Sequence, residues 1–307
     1  MPSRSTWSWS TTRRGEPVVP NGDSADEGAR RRGPLIVSCE NLTYSYPGSD
    51  HYALADVTFE VCAGEYVGVV GPNGGGKSTL ARLLNGLLRP SSGLVGVAGL
   101  DPATEPYLVR KKVGVLFQNP DNGLVAPFVE DDVAFGLENL GVERREMRER
   151  VAAAIRAVGL SGYERREPHT LSGGEKQRVA LAGLLATDTE VLILDEPTSM
   201  LDLEGRREVL EKLGELQSSK TVLHVTHHLE ELLDADRILV LNAGRLVAEV
   251  SPGRLFSDAD LLRDNRLVLS SALRLATTLG LDPAKVRTPE ELAAAIMHEI
   301  GSEARAR

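Results

Sequence analysis

Hydrophobic and polar residues follow one another in short blocks that predict alternating strands and helices. Ordered structure is expected from about Leu35, and Val57 to Val61 alternates as a half-buried strand does. Tyr66 to Val70 and Val191 to Leu194 are short apolar runs, typical of strands buried on both faces in a parallel, helix-covered sheet. Gly141 to Leu160 carries its apolar residues on one helical stripe. Further strand-like runs are Thr221 to Thr226 and Arg237 to Leu241. Strands that alternate with helices in this way predict an α/β fold.

The pattern changes after Phe256, where short helices with their own start signals are predicted. Ser257 with Asp260 predicts a capped helix start, and Gly280 can end that helix. Apolar residues at helical spacing lie between them: Leu269, Leu273 and Ala276. The segment Thr288-Pro289-Glu290-Glu291 combines a capping box with proline at the first helical position, which predicts a second helix. Residues 257–307 are therefore expected to form a small helical C-terminal appendage.

The first 33 residues are rich in Ser, Arg, Gly and Pro and are predicted to be a disordered tail. They contain no hydrophobic region, so we do not expect a signal peptide. No apolar run in the chain approaches the roughly 20 residues that a membrane-spanning helix needs. These features predict a cytoplasmic protein.

Composition narrows the possible functions further. The 307 residues leave room for about two domains, and a hydrophobic fraction of 41% suits a folded globular protein. The net charge of -9, with both signs well represented, does not favour nucleic-acid binding. Cys39 and Cys62 form no C-x-x-C pair, so ordinary thiols in a reducing cytosol are expected rather than a disulfide or a metal site.

A glycine-rich segment directly follows the apolar run that ends at Val70. It matches the pattern G-x-x-x-x-G-K-[ST] with Gly71, Pro72, Asn73, Gly74, Gly75, Gly76, Lys77, Ser78 and Thr79. Its glycines let backbone N–H groups converge on phosphate oxygens, and a helix beginning at Lys77 aims its positive dipole end at the same phosphates. Lys77 is expected to bridge the β- and γ-phosphates, and Ser78 to hold Mg²⁺. The alternative, a plain glycine-rich turn, is disfavoured by the buried strand before it and the helical pattern after it.

A second part of the predicted site is the acidic pair at the end of the apolar run Val191 to Leu194. Asp195, beside the phosphate loop, can hold Mg²⁺ directly or through water. Glu196 is placed to orient or deprotonate the attacking water, a role that typically contributes about 10²- to 10⁴-fold in rate. Two solvated turn acids would be the alternative if the phosphate loop were absent.

Between these two parts lies the segment Leu171-Ser172-Gly173-Gly174-Glu175, which reads as a turn opening a helix and thus as a second anion-binding helix N-terminus. One triphosphate needs only one such site in a chain, so the second is expected to cap ATP held by another subunit. The segment resembles the LSGGQ signature of ABC ATPases. That resemblance implies a P-loop core with a parallel RecA-like sheet, an antiparallel β edge and a helical subdomain.

Other motifs of that family follow in order between Leu35 and Phe256. Gln118 resembles the Q-loop glutamine, which links Mg²⁺ and the attacking water to the membrane partner. Asp202, in Ser199-Met200-Leu201-Asp202, resembles the D-loop residue that crosses the dimer interface, and His227 resembles the switch histidine that touches the γ-phosphate. Tyr46 lies where the family has an aromatic residue that stacks on adenine; an ordinary edge-strand tyrosine is the alternative. The resemblance implies an ATPase domain over residues 34–256, with its helical subdomain at about 119–186.

Three histidines close together, His224, His227 and His228, raise the alternative of a metal site. Thr221 to Thr226 is predicted to be a strand, however, and an i,i+4 pair of helical ligands cannot lie on a strand. His224 and His228 are therefore expected to be ordinary polar residues beside the functional His227.

Two stretches narrow the resemblance to one group within the ABC ATPases: Gln118 to Asn122 and Val129 to Asn139. They are similar to the A-component ATPases of energy-coupling factor (ECF) importers, and most similar to the first of the two paired ATPases. In that group the segment after the glutamine forms a groove for a coupling helix of the transmembrane T component, and the C-terminal helices add to the ATPase dimer interface. The acids Glu130 to Asp132 also fit a helix N-terminus. Three residues depart from the usual pattern: Glu175 and Gly123 each replace a glutamine, and Gly75 replaces a serine. Because of Gly123, the resemblance does not predict the detailed contacts in the groove.

The resemblance implies a head-to-tail dimer with an identical or paralogous ATPase. Each ATP with its Mg²⁺ would lie between the phosphate loop of one subunit and Ser172 and Gly174 of the other. At the cytoplasmic face of the membrane, hydrolysis would drive a T component and a substrate-binding S component that import vitamins or other micronutrients. A dedicated cobalt or nickel importer is the nearest alternative. A non-transport ABC ATPase acting on DNA ends or ribosomes is disfavoured, because neither a long coiled coil nor a second cassette is present.

Overall fold

The computed structural model describes residues 33–216, 219–281, 283, 286 and 291–298. Residues 1–32 of the predicted tail lie outside this part of the chain, as do Thr288, Pro289 and Glu290 of the predicted helix start. Residues 291–298 are helical. Within the described ranges, every helix is too short or too polar to cross a membrane.

Strands and helices alternate over most of the described chain. The strands are β1 (Leu35–Tyr44), β2 (Leu54–Cys62), β3 (Tyr66–Val70), β4 (Ser92–Val97), β5 (Val113–Leu116), β6 (Val191–Asp195), β7 (Thr221–Val225), β8 (Arg237–Asn242) and β9 (Arg245–Val250). The α-helices are α1 (Lys77–Leu84), α2 (Pro106–Arg110), α3 (Val129–Leu140), α4 (Arg144–Ala157), α5 (Gly173–Thr187), α6 (Leu203–Leu216), α7 (Pro252–Ser257), α8 (Ala259–Asp264) and α9 (Ser271–Thr278). Short 3₁₀ helices are Pro120–Asn122, Pro168–Thr170 and Leu229–Leu232.

The strands form two sheets. β1 lies between β2 and β4 in an antiparallel sheet, and Val57 to Val61 alternates between buried and exposed as predicted. The larger sheet has the order β5-β6-β7-β3-β8-β9 and is parallel except for β9, which runs antiparallel to β8. The helices α3, α4 and α5 pack on one another within the range predicted for a helical subdomain. The predicted α/β class is confirmed.

β3, β6 and β7 are buried at every residue because both faces of the larger sheet are covered. Val67 and Val69 of β3 belong to the core shared with the antiparallel sheet and α1. Tyr66 and Val70 face the opposite core, which includes residues of α3, α4 and α5. The carboxyl ends of the parallel strands are thereby held between two packed layers, at one edge of the sheet.

The helix predicted from Gly141 to Leu160 is shorter than expected. Gly141 adopts φ +72° and ends α3, since glycine takes the left-handed conformation at little cost. Glu143 then caps α4, its carboxylate accepting the N–H groups of Arg145 and Glu146. The predicted start was therefore wrong by three residues, because a stop signal for one helix was assigned to the next.

The predicted cap at Ser257 is also wrong. Ser257 is the last residue of α7, and its hydroxyl donates back to the carbonyls of Gly253 and Arg254. Asp258 caps α8 instead, accepting the N–H of Leu261 at 2.9 Å. Gly280 follows the end of α9 with φ +71°, as predicted, but the segment predicted as one helix forms two, α8 and α9, and Leu269 lies between them. The predicted boundary at 256/257 falls inside α7.

Candidate active site

The phosphate loop joins β3 to α1, and α1 begins at Lys77 as the sequence predicts. Gly71 has φ +148°, and a Cβ there would overlap the carbonyl oxygen of Leu241. Gly76 has φ +103°, and a Cβ there would lie 2.6 Å from the carbonyl oxygen of Ala53. Only glycine fits either position. Gly76 is also the N-cap of α1 and offers no side chain to the first-turn N–H groups, which are the groups that bind an anion at a helix N-terminus.

Lys77 folds back over this loop. Its Nζ donates to the carbonyl oxygens of Gly71 at 2.8 Å and Pro72 at 3.1 Å. Burial lowers the pKa of Lys77, and the charges of Glu196 and Asp195 partly oppose that effect. The ammonium group therefore sits on the loop close to two carboxylates, where it can exchange its carbonyl partners for phosphate oxygens.

Asp195 ends β6 and is only 4% exposed. Burial raises the pKa of its carboxyl group, and a hydrogen bond with Ser78 opposes the rise. Its Oδ1 atom is buried and has no hydrogen-bond partner. A buried acceptor without a partner is costly, so the pair formed by this carboxylate and the Ser78 hydroxyl suits a hard, oxygen-seeking cation. The structure thus brings together two of the three residues predicted as metal ligands, Ser78 and Asp195; the third is Gln118.

Glu196 and His227 form the closest pair among the predicted catalytic residues. His227 Nδ1 lies 2.7 Å from Glu196 Oε2. Glu196 adopts φ +54° directly after β6, and its N–H donates to the carbonyl of Val225 at the end of β7. This left-handed backbone is uncommon outside glycine and is typical of functional sites. The Glu196 carboxylate is almost buried whereas the imidazole is 54% exposed, so the pair faces solvent through the histidine.

Tyr46 and Thr79 also meet at the first turn of α1. The Tyr46 hydroxyl lies 3.2 Å from Thr79 Oγ1 and accepts from Arg82 at 3.3 Å. The Tyr46 ring packs edge-on against Tyr44, with centroids 4.9 Å apart, and remains 37% exposed. The ring is thus anchored beside the phosphate loop with part of its surface open.

Ser172 caps α5 through a reciprocal capping box. Its hydroxyl accepts the N–H of Glu175 at 3.3 Å, and Glu175 Oε2 accepts the N–H of Ser172 at 2.8 Å. The latter hydrogen bond lowers the pKa of Glu175, and the Tyr163 hydroxyl adds to the effect. The acid that replaces the usual glutamine therefore keeps a structural function. Next to it, Gly174 lies close to the backbone of Met200, so the signature contacts the D-loop of its own chain.

Asp202 acts as a helix cap in this chain. Its Oδ1 accepts the N–H of Gly205 at 2.8 Å in the first turn of α6. This contact gives the residue a local function beside the one that the resemblance implies.

Gln118 is exposed in the segment after β5, next to a cavity of about 590 Å³. The cavity is lined partly by residues that the sequence analysis did not single out, Tyr107, Arg110, Phe117 and Leu124, and also by Phe135 of the stretch Val129 to Asn139. Gly123 lines it too. Asp132 does not act on the α3 dipole alone, because its Oδ1 accepts the N–H groups of Val125 and Ala126 in the loop before the helix.

His224 and His228 have partners other than a metal. His224 is buried in β7, with Nδ1 2.8 Å from the Tyr66 hydroxyl. His228 Nε2 lies 3.1 Å from Arg206. The sequence analysis missed Glu231, which contacts His224 at 3.3 Å from beneath the catalytic loops. The available signal was the pair Glu230 and Glu231 between leucines, since a charged residue next to apolar positions can be buried only when it is paired.

Comparison with known protein sequences identifies the family that the motifs of this chain resemble. The profile of the ABC transporter family matches residues 54–199. The energy-coupling factor transporter ATP-binding protein EcfA1 of Latilactobacillus sakei subsp. sakei (strain 23K) is 46% identical over 264 residues, which cover 85% of this chain and 88% of the relative. EcfA1 of Geobacillus kaustophilus (strain HTA426) is 48% identical over 265 residues, covering 84% of this chain and 95% of the relative.

Solved structures of ABC ATPases are similar to this chain in fold. CbiO1 from Clostridium perfringens, part of the ABC transporter complex cbiONQ, is 32% identical with a TM-score of 0.66, over 81% of this chain and all of that one. The ATP-binding cassette MJ0796, solved as a dimer in a post-hydrolysis state bound to ADP and Pi, is 29% identical with a TM-score of 0.64, over 71% of this chain and 99% of that one.

The chain therefore belongs to the ABC transporter ATP-binding proteins. Relatives named EcfA1 match it at 43% to 50% identity over most of both chains. This confirms the predicted function, the ATP-hydrolysing subunit of an ECF-type ABC importer.

Proposed function

We propose that ATP is hydrolysed at the loop between β3 and α1 with Glu196 and His227 as the catalytic pair. The observation that carries the proposal is the 2.7 Å contact between these two side chains, formed where β6 and β7 end beside the phosphate loop. Glu196 orients or deprotonates the attacking water, and His227 holds the carboxylate and reaches the γ-phosphate. Lys77 neutralises the β- and γ-phosphates from its position over the loop.

Mg²⁺ is the metal that this donor set fits. Ser78 offers a hydroxyl, and Asp195 offers a buried carboxylate oxygen without a partner. Hard oxygen donors at the phosphates of a nucleotide suit Mg²⁺, which neutralises charge on the β- and γ-oxygens when bound. Gln118, on the exposed segment after β5, completes the proposed ligand set when that segment approaches the nucleotide.

The nucleotide site is completed by a second ATPase subunit. Ser172 and Gly174 open α5, and in the proposed head-to-tail dimer they face the γ-phosphate bound by the partner. The dimeric form of the related cassette MJ0796 supports this arrangement. Tyr46 stacks on the adenine from beside α1, and Asp202 reaches across the interface from the D-loop.

The cavity beside Gln118 is the proposed docking site for a transmembrane T component at the cytoplasmic face of the membrane. Its wall combines exposed aromatic surface, such as Phe135 and Tyr107, with the cation of Arg110. The Lys176–Asp121 ion pair at 2.6 Å joins α5 to the segment that lines the cavity. A movement of this segment is thereby transmitted to Ser172 at the start of α5. On the membrane side, the T component transmits the movement to an S component that binds a vitamin or another micronutrient.

The test is ATP turnover and ATP-dependent uptake in the full chain co-purified with its membrane subunits and reconstituted in vesicles. Glu196→Gln is expected to lower turnover by at least about 100-fold, the contribution of a positioned base. Glu190→Gln is a matched control, because the Glu190 side chain forms an exposed ion pair with Lys112. Turnover of Glu196→Gln near the control rate would refute the assigned role, and failure to co-purify with a T component would refute the proposed partners.

A further inference from the structure

A single buried carboxylate lies beneath the catalytic pair. Glu231 is in the 3₁₀ helix Leu229–Leu232, and its side chain is fully shielded from solvent. Thr198 donates its hydroxyl to Oε1 at 2.5 Å, and Thr226 donates its hydroxyl to Oε2 at 3.0 Å. Each oxygen of one carboxylate is thus bonded to a different loop.

These two threonines stand next to the proposed catalytic residues. Thr226 directly precedes His227 at the end of β7, and Thr198 follows Glu196 by two residues after β6. Both threonines are fully buried. Buried hydrogen bonds of this kind fix the backbone more firmly than exposed ones, because no water replaces them. The carboxylate therefore ties together the two loops whose side chains meet at 2.7 Å.

The surroundings of Glu231 keep it ionised. Burial acts to raise its pKa, but contacts with His224 and with the two threonine hydroxyls outweigh burial, so the pKa lies below its ordinary value. His224 Nε2 lies 3.3 Å away and the Arg206 guanidinium 3.7 Å away. An ionised carboxylate has only acceptor oxygens, which is what two donating hydroxyls require.

A second contact fixes the backbone of the same residue. The Tyr66 hydroxyl donates to the carbonyl of Glu231 at 3.1 Å and lies 2.8 Å from His224 Nδ1. Tyr66 belongs to β3, the strand that leads into the phosphate loop. The network thus joins the three strands that carry the site.

We propose that Glu231 is a positioning residue for ATP hydrolysis, which acts through Thr198 and Thr226 to hold Glu196 and His227 in their productive relative position. The inference rests on the proposed roles of those two residues. Because the Glu231 side chain is shielded from solvent behind Thr198 and Thr226, its loss should affect the chemical step and leave ATP binding intact. Misplacement of a catalytic group by about 1 Å can cost about 100-fold in rate.

The test compares isosteric variants in the full chain assembled with its membrane subunits. Thr198→Val removes one hydroxyl at constant volume and is expected to lower kcat by about 10- to 100-fold, with the Kd for a fluorescent ATP analogue changed less than about twofold. Thr198→Ser keeps the hydroxyl and is expected to restore kcat. Glu231→Gln should resemble Thr198→Val, since an amide offers one acceptor oxygen in place of two.

Glu65→Gln is the matched control for a merely structural effect. Glu65 is equally buried, accepts the N–H of Cys62 and pairs with Arg237 at 2.9 Å, at the start of β3. It is expected to lower the melting temperature while kcat stays unchanged. If Thr198→Val and Glu231→Gln lower the melting temperature but leave kcat at the level of Glu65→Gln, the inference is wrong.

Glu196→Gln in the same preparations separates the two proposals. If Glu196→Gln abolishes turnover while Thr198→Val leaves kcat at the level of Glu65→Gln, the positioning role alone is refuted. If Glu196→Gln retains turnover, the proposed catalytic pair is refuted, and the positioning role with it.

Discussion

Three ionisable groups at the centre of the site are buried: Lys77, Asp195 and Glu196. Burial disfavours the charges of Lys77 and Asp195. The two carboxylates partly compensate it for Lys77, whereas at Asp195 the charge of Lys77 favours ionisation and the like charge of Glu196 opposes it. The same arrangement leaves a carboxylate oxygen of Asp195 without a partner. At the scale of the residue, the site is therefore suited to binding a ligand at some expense of stability.

Asp195→Asn is expected to stabilise the protein without nucleotide or metal by about 0.5–2 kcal/mol while abolishing Mg²⁺-dependent ATP turnover. The pKa of Asp195 is raised in the folded state, so its ionised form costs stability at neutral pH, and that cost is absent below its ordinary pKa of 3.8. The advantage of the variant should therefore shrink as the pH falls toward this value. Thermal denaturation between pH 7 and pH 4 measures it, and a lower melting temperature for the variant at pH 7 would contradict the argument.

Gly76→Ala is expected to destabilise the fold by about 1–3 kcal/mol and to weaken ATP binding, because a side chain there combines positive φ with a collision against Ala53. Gly99→Ala is the matched control, since Gly99 also has positive φ (+78°) but a Cβ there meets nothing within 4 Å. Urea denaturation and nucleotide titration of both variants separate the two causes. Equal losses in both variants would show that backbone strain alone matters.

At the scale of the element, α5 links three parts of the molecule. Its first turn carries the signature, its Gly174 lies against the D-loop, and its Lys176 pairs with Asp121 beyond Gln118. The capping box between Ser172 and Glu175 fixes the start of this helix. The geometry of the signature thus depends on an acceptor oxygen in the side chain at position 175.

Glu175→Gln is expected to keep the cap, because the Gln side-chain oxygen can still accept the N–H of Ser172. Glu175→Ala removes it and should cost about 0.3–1.5 kcal/mol of helix stability. Hydrogen exchange of the amides in the first turn of α5 measures the difference directly. If Glu175→Gln exchanges as fast as Glu175→Ala, the capping box does not hold the signature in place.

At the scale of the whole molecule, the proposed catalytic residues and the proposed docking cavity lie in separate places within the described chain. The proposed catalytic groups lie where the parallel strands end, whereas the cavity lies between β5, the segment after it and α3. Exposed aromatic side chains at the cavity, such as Phe135 at 49%, are available to a partner. A change at the cavity should therefore affect assembly before it affects ATP binding.

Phe135→Asp is expected to lower recovery of the membrane subunits in co-purification by at least about 10-fold, the loss that about 1.4 kcal/mol of lost contact produces. The Kd for ATP should not change. Val247→Asp is the matched control, since Val247 is equally exposed at 48% on β9 and does not line the cavity. Loss of the membrane subunits from both variants would mean that the cavity has no special part in docking.

The sequence alone was sufficient for the fold class, the phosphate loop and the acidic pair after β6. Short-range pattern determines these features: a buried strand followed by glycines and a helix start can form few other structures. The same local reasoning failed at Gly141 and Ser257, where the chain offers two neighbouring start or stop signals. Which signal is used depends on how the helices pack, as the burial of Leu255 and Phe256 in the main core illustrates.

The tertiary structure decided which distant residues meet. It brings His227 to Glu196, Ser78 to Asp195, and Thr198 and Thr226 to one buried carboxylate, Glu231. These contacts join residues from separate strands of a sheet whose order is not the order of the chain. Spacing along the chain carries no information on such pairs, because only packing of the strands sets the distance between their ends. The chemistry of the phosphate loop could therefore be read from the sequence, and the support beneath the catalytic pair only from the fold.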